Sequence, residues 1–213
     1  MTAYDSIRSV HTYTELIQKS KFIVYIAPVR TMDEARDFLA ALRKEHYTAT
    51  HICSAPRLAL RPVREQSSDD GDPAGTAGRP MLHVLQEQDL TDITAAVVRY
   101  FGGIKLGAGG LIRAYGGTLA RALTTAPLIR YTPHRRYLVR IPYDLLGRIE
   151  NEWRERPIRI ADRTFAADVT LTVDVPSGSA DAFISALTDL TAARATVTDD
   201  GEHLIALARP NVK

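Results

Sequence analysis

The stretch ITAAVVRYFGGIKLGAGGLIRAYGGTLARAL, residues 93–123, decides how the chain is read. Its opening is a nearly continuous apolar run, the pattern of a strand buried on both faces of a sheet, predicted over residues 92–101. From Ala108 onward Leu111, Tyr115, Leu119 and Leu123 step by four, which predicts a helix with one buried stripe. Between and within these elements fall seven of the chain's 13 glycines, beside Arg99, Lys105 and Arg113. Gly102 and Gly107 have the spacing of a phosphate-binding loop, but Ala108 and Gly109 follow where Lys and Ser or Thr are required. A dinucleotide fingerprint fails as well, because Ile112 stands in place of its third glycine. The loop still leads a strand into a helix N-terminus, whose free N–H groups and dipole attract anions. Two readings stay open: an architectural turn, or an anion-binding surface in which Gly102, Gly103, Gly107, Gly109 and Gly110 let a phosphate approach the backbone.

Charge around this stretch is uneven. The 213 residues carry 27 Lys and Arg against 25 Asp and Glu, a net charge of only +2. Residues 93–143 nevertheless contain no acid, where about six would fall at random, and eight basic residues. Those are Arg99, Lys105, Arg113, Arg121, Arg130, Arg135, Arg136 and Arg140. Such segregation suits an anionic partner if the charges also gather in space. Arg113, Gly117 and Arg121 share a helix face turned away from the leucine stripe.

Just upstream, residues 67–80 read SSDDGDPAGTAGRP, too rich in Gly, Pro and Asp for core and part of a long loop predicted over residues 61–80. Asp69, Asp70 and Asp72, with Gly71, Gly75, Thr76, Gly78 and Arg79, are expected to shape successive turns next to the glycine loop. Three carboxylates this close are weighed against a hard-cation site, but the spacing is not that of a calcium loop and no metal is expected. His51 and Cys53 point to one face of a strand, as a nucleophile and base would. A lone cysteine is more often a small core hydrophobe, and catalysis is not expected there. Neither HExxH nor GxSxG occurs.

The remaining pattern is mixed α+β. Alternating segments around YTELI and KFIVYIAPV predict two strands. Thr31 and Glu34 form a capping box ahead of a helix with Ala35, Phe38, Leu39 and Leu42. A strand is expected over 49–58 and a short helix over 79–88. Periodicity lapses over 124–133, between Pro127 and Pro133, and a boundary is placed there: residues 1–130 and 135–213. The second part reads β-α-β-β-α-β, the ferredoxin-like order, with Asp144 as the expected cap of its first helix. No apolar run approaches the roughly 18 residues of a membrane helix, and MTAYDSIRSV lacks the marks of a signal peptide.

DDGDPAGTAGRP followed by VVRYFGGIKLGAGGLIRAYG closely resembles the signature of the YigZ/IMPACT family, and KSKFIVYIAPV and ATHICSAPRL are similar to its earlier segments. The resemblance spans residues 19–123. It departs at Asp72 and Ala74, where the family more often has Glu and Ser. The resemblance implies a first domain like the second domain of small-subunit ribosomal protein five, also the fourth domain of elongation factor G. It implies a second domain like that factor's fifth, ferredoxin-like domain. Eukaryotic members regulate translation by competing for an activator of a kinase, an activity that depends partly on a further N-terminal domain and is not carried over here.

Together these features point to a cytoplasmic, non-catalytic protein without cofactor that binds nucleic acid, structured RNA or the ribosome, in the regulation of translation. Arg99, Lys105, Arg113 and Arg121 are its expected phosphate contacts. Two alternatives remain: an enzyme holding a phosphorylated metabolite in a cleft between the two motif loops, and a protein-binding adaptor of translation. No membrane partner is expected. A fragment of residues 135–213 should fold alone, because six elements complete a sheet-and-helix layer. Circular dichroism of that fragment should show one cooperative melt, and a featureless melt would refute the boundary.

Overall fold

The computed structural model describes residues 1–60 and 62–209; Arg61, at the start of the predicted 61–80 loop, and residues 210–213 lie outside the described residues. The chain divides into a larger unit, residues 4–130 with the segment from Leu207, and a smaller one, residues 131–206 with 1–3. Among the described residues no helix is long and apolar enough to cross a membrane.

The larger unit opens with β1 (Tyr4–Ile7), a short strand the sequence pattern does not announce. A five-stranded sheet follows, built from β2 (His11–Ile17), β3 (Ser20–Pro28), β4 (His51–Leu58), β5 (Arg64–Glu65) and β6 (Ile93–Tyr100). Its order is β2-β3-β6-β4-β5, every neighbouring pair antiparallel. β6 is therefore the central strand, which accounts for its unbroken apolar run. α1 (Met32–Glu45) lies on one face, where Ile23, Ile52 and Val98 are buried. α2 (Gly78–Glu87) and α3 (Gly107–Thr125) cover the other, over Phe22, Val24, Cys53, Ala55 and Val97. All four residues of the α3 stripe, Leu111, Tyr115, Leu119 and Leu123, are buried. Thr31 caps α1 by accepting from the Glu34 backbone N–H at 3.1 Å, but the Glu34 carboxylate accepts from the N–H of Arg30 rather than of Thr31.

β7 (Leu128–Ile141), whose first three residues belong to the larger unit and the rest to the smaller, starts within the stretch predicted to be irregular and carries Pro133 inside it. α4 (Tyr143–Trp153), β8 (Arg159–Phe165), β9 (Val169–Pro176), α5 (Ala180–Thr191) and β10 (Thr196–Ala208) complete the order β-α-β-β-α-β. The sheet has five strands, in the order β1-β7-β9-β8 with β10 also paired to β7; β7, β9 and β8 run antiparallel, and β10-β7-β9-β8 is the ferredoxin-like order. Leu145, Ile149, Trp153, Phe183 and Leu187 bury the helices on that sheet. Asp144, expected as the α4 cap, instead sits in the first turn and pairs with Arg194; Pro142 holds the cap position.

The glycine loop is anchored by backbone. The β2–β3 hairpin turns through Gln18 and Lys19, both at positive φ, and its exit lies against the start of the loop. The Gly102 N–H donates to Ser20 Oγ at 3.1 Å and the Phe101 N–H to Thr50 Oγ1 at 3.0 Å. A Cβ built on Gly102 would stand 2.0 Å from the Lys19 carbonyl carbon, and one on Gly78 2.6 Å from the Ser68 nitrogen. Neither neighbour is a flexible side-chain tip, so neither can move aside cheaply. Gly102→Ala should therefore cost about 3 kcal/mol or more. Urea unfolding at constant m-value is the check; a loss under about 0.5 kcal/mol would show that the hairpin gives way.

Candidate functional site

The two motif loops meet beneath α3. Asp72 is buried, and its Oδ1 accepts from Arg99 Nη1 at 2.7 Å while its Oδ2 accepts from the Tyr115 hydroxyl at 2.5 Å. One carboxylate thus ties the Asp-rich loop to the central strand and to the buried stripe of α3. Tyr115 stands edge-on to Phe22, and the Arg99 guanidinium carbon lies 5.7 Å from the ring centres of both Phe22 and Phe101. The Tyr in a stripe otherwise made of Leu was the available signal, since a buried hydroxyl needs an acceptor. The pattern did not identify that acceptor.

The other two carboxylates point elsewhere. Asp69 accepts from the backbone N–H groups of Gly75, Ala77 and Gly78 at 2.7–2.9 Å. α2 has no cap from its own N-cap residue, and Asp69 supplies one from eight residues upstream. Burial pushes the Asp69 carboxyl up, but those three N–H donors, with Arg79 nearby, outweigh it and hold it below its ordinary value. Asp70 receives two bonds from Arg43, at 3.2 and 2.6 Å, and one from the Ile52 N–H. The three carboxylates diverge. Among the described residues no group of three or more His, Cys, Asp or Glu is arranged to hold a metal ion.

His51 and Cys53 do share a face, yet they do not form a nucleophilic pair. The Cys53 thiol donates to the Asp69 carbonyl at 3.0 Å, and burial, ahead of nearby carboxylates, pushes it up to about 12. At neutral pH it is a protonated core thiol. Burial likewise pushes the Tyr115 phenol far above its usual range. His51 Nδ1 lies 2.8 Å from the Asp70 carbonyl, an acceptor, so that nitrogen carries the hydrogen, and Nε2 is 3.5 Å from Asp72.

Tertiary pairing redistributes the acid-free run of basic residues. Arg99 pairs with Asp72, Arg121 with Glu15 and Arg130 with Asp5. Arg135 pairs with Asp199, Arg136 with Asp174 and Arg140 with Asp168. Two of the expected phosphate contacts are thus already paired with carboxylates. Arg99 is buried and engaged by Asp72, and Arg121, although exposed, already binds Glu15 through Nε and Nη2 at 3.0 and 2.7 Å. Lys105 and Arg113 are exposed and form no ion pair with a described residue. Both flank the start of α3, where Leu106 provides no side-chain cap and the first turn holds no acid. Gly107, Gly109 and Gly110 belong to that turn, while Gly103 lies in the bend before it and Gly71, Gly75, Thr76 and Arg79 complete the facing loop. Phe101, Ile104 and Ile112, near the two cations in sequence, are also exposed.

Two family models match the chain: the Impact N-terminal domain over residues 18–123, and a domain of unknown function, DUF1949, over residues 139–194. The IMPACT family member YvyE of Bacillus subtilis is 36% identical over 197 residues, covering 92% of this chain and 91% of that protein. The IMPACT family member YigZ of Escherichia coli is 40% identical over 181 residues, covering 84% of this chain and 88% of its own. A crystal structure described as that of a hypothetical protein is similar with a TM-score of 0.58 at 35% identity, covering 92% of this chain and 97% of that one.

Because the folded Asp69 carboxyl is depressed, its stabilising effect is complete above the unfolded value of about 3.9 and is lost as pH falls through the lower folded value. Asp69→Ala should cost about 1 kcal/mol at pH 7 and flatten the acid limb of the stability profile. An acid limb unchanged from wild type in urea titrations across pH 2–5 would refute the capping role.

Proposed function

The chain belongs to the IMPACT family, and from that premise we propose that it is a cytoplasmic, non-catalytic protein that binds structured RNA or a ribosomal surface in the regulation of translation. One observation carries the proposal. Of eight basic residues in an acid-free run, the two without an ion pair to a described residue, Lys105 and Arg113, stand at the uncapped start of α3. An uncapped helix N-terminus offers N–H donors and a partial positive charge to a phosphate. Two cations beside it add attraction that costs no existing pair. Exposed Phe101 supplies a face on which an unpaired base can stack. The protonated, buried Cys53 argues against nucleophilic chemistry at the meeting of the loops.

A second reading, a protein-binding adaptor, draws on the exposed apolar side chains of Phe101, Ile104 and Ile112, near the same cations in sequence. Salt separates the two. Phosphate contacts release counterions, so affinity for RNA falls linearly with the logarithm of salt concentration, whereas apolar docking responds weakly.

Binding to transfer RNA and to isolated small ribosomal subunits, measured from about 50 to about 200 mM salt, tests the proposal. Lys105→Ala and Arg113→Ala should each weaken binding and lower the salt slope by about one. Arg121→Ala should leave the slope unchanged, because that guanidinium is already held by Glu15. Unchanged affinity and slope in both Lys105→Ala and Arg113→Ala would overturn the RNA reading.

A further inference from the structure

Beside the exposed cations lies a cavity of about 430 Å³ within the larger unit, in the size range of small-molecule sites. Phe101, Leu106 and Leu111 form apolar walls, Lys105 and Arg99 contribute positive charge, and Gly107 and Ala108 bring the first turn of α3 to its edge. Asp72 also lines it, but that carboxylate is only 3% exposed and each of its oxygens is taken, one by Arg99 and one by Tyr115. It neutralises one of the two cations and leaves the cavity electropositive.

Arg99 itself is the second indication. Its side chain is 6% exposed, and although one terminal nitrogen is held by Asp72, its Nε is buried without a hydrogen-bond partner. A buried donor left without an acceptor costs about 1–3 kcal/mol. By contrast the Nε of Arg57, another buried arginine of the larger unit, donates to Glu65 at 2.8 Å. An oxygen brought into the cavity would meet a guanidinium on one side and helix N–H groups on the other. The apolar walls do nothing for a bare inorganic ion, which keeps its hydration in water; they suit a ligand with an apolar or aromatic body behind its anionic head.

We propose that this cavity binds a small molecule carrying a phosphate monoester on an apolar or aromatic body, a class for which a nucleoside monophosphate is the probe. The phosphate lies between Arg99 and the Gly107–Ala108 backbone, and the body lies against Phe101 and Leu106. The proposal rests on the anion-attracting start of α3 invoked for RNA, but it requires the concave space behind that helix start to take up the ligand's body, which a polyanion lying on the surface does not.

The test is calorimetric titration of the full chain with adenosine 5′-monophosphate, adenosine and inorganic phosphate. The monophosphate should bind at least about tenfold more tightly than either fragment, since each fragment loses either the charged hydrogen bonds or the apolar contact. Ala108→Trp, at an exposed position on the cavity edge, should fill the space and abolish binding while the protein stays folded. Arg99→Lys keeps a charge for Asp72 but removes the planar guanidinium that lines the cavity, and should weaken the monophosphate about tenfold. If Arg99→Lys fails to fold, Ala108→Trp decides. No monophosphate binding at millimolar concentration, binding that survives Ala108→Trp, or inorganic phosphate binding as tightly as the monophosphate would each overturn the proposal. Monophosphate binding without any effect of Lys105→Ala or Arg113→Ala on RNA would leave the cavity standing and remove the RNA surface. RNA binding without monophosphate binding would do the reverse.

Discussion

The larger unit is organised around one buried carboxylate. Asp72 accepts simultaneously from Arg99 on the central strand and Tyr115 on α3. Taking two charges out of water is costly, and a buried pair often contributes little net stability compared with apolar residues of the same shape. What it imposes is position. Any placement of the Asp-rich loop that left Arg99 unpaired would cost several kcal/mol, so the loop has one place to lie. With Asp72 fixed, Asp69 is brought to the start of α2 and Asp70 to Arg43 and the Ile52 N–H.

The same pair changes the meaning of the glycine loop. Gly102 and Gly78 are required by backbone pressed against backbone, the first by the β2–β3 hairpin and the second by Ser68. Their smallness is architectural. The electropositive character of the region belongs instead to the start of α3, whose first turn has neither cap nor acid and is flanked by Lys105 and Arg113. Architecture accounts for Gly102, and the cations without an ion pair to a described residue lie further along, at Lys105 and Arg113.

The elements themselves were largely legible. The unbroken apolar run of β6 reports a strand with neighbours on both sides and helices on both faces, and the four-residue step of Leu111, Tyr115, Leu119 and Leu123 reports a helix with one buried side. Both are local periodicities, set by strand and helix geometry, and survive any tertiary arrangement. The ferredoxin-like order of the smaller unit came from the same source. β1 and the beginning of β7 were not legible: a four-residue strand holds only two repeats of the alternation, and Pro127 and Pro133 mask the extended segment between them.

The sequence by itself determined most of the elements, the mixed α+β class, the family and the two loop motifs. Tertiary structure alone decided which charges are free. Composition along the chain shows eight basic residues with no acid among them, yet ion pairing depends on distance in space, and six of the eight find carboxylates at Asp72, Glu15, Asp5, Asp199, Asp174 and Asp168, most of them far away in sequence. Arg99 passes from surface contact to buried anchor for that reason, and Lys105 and Arg113 remain exposed because no carboxylate of the described chain comes within ion-pair distance of them.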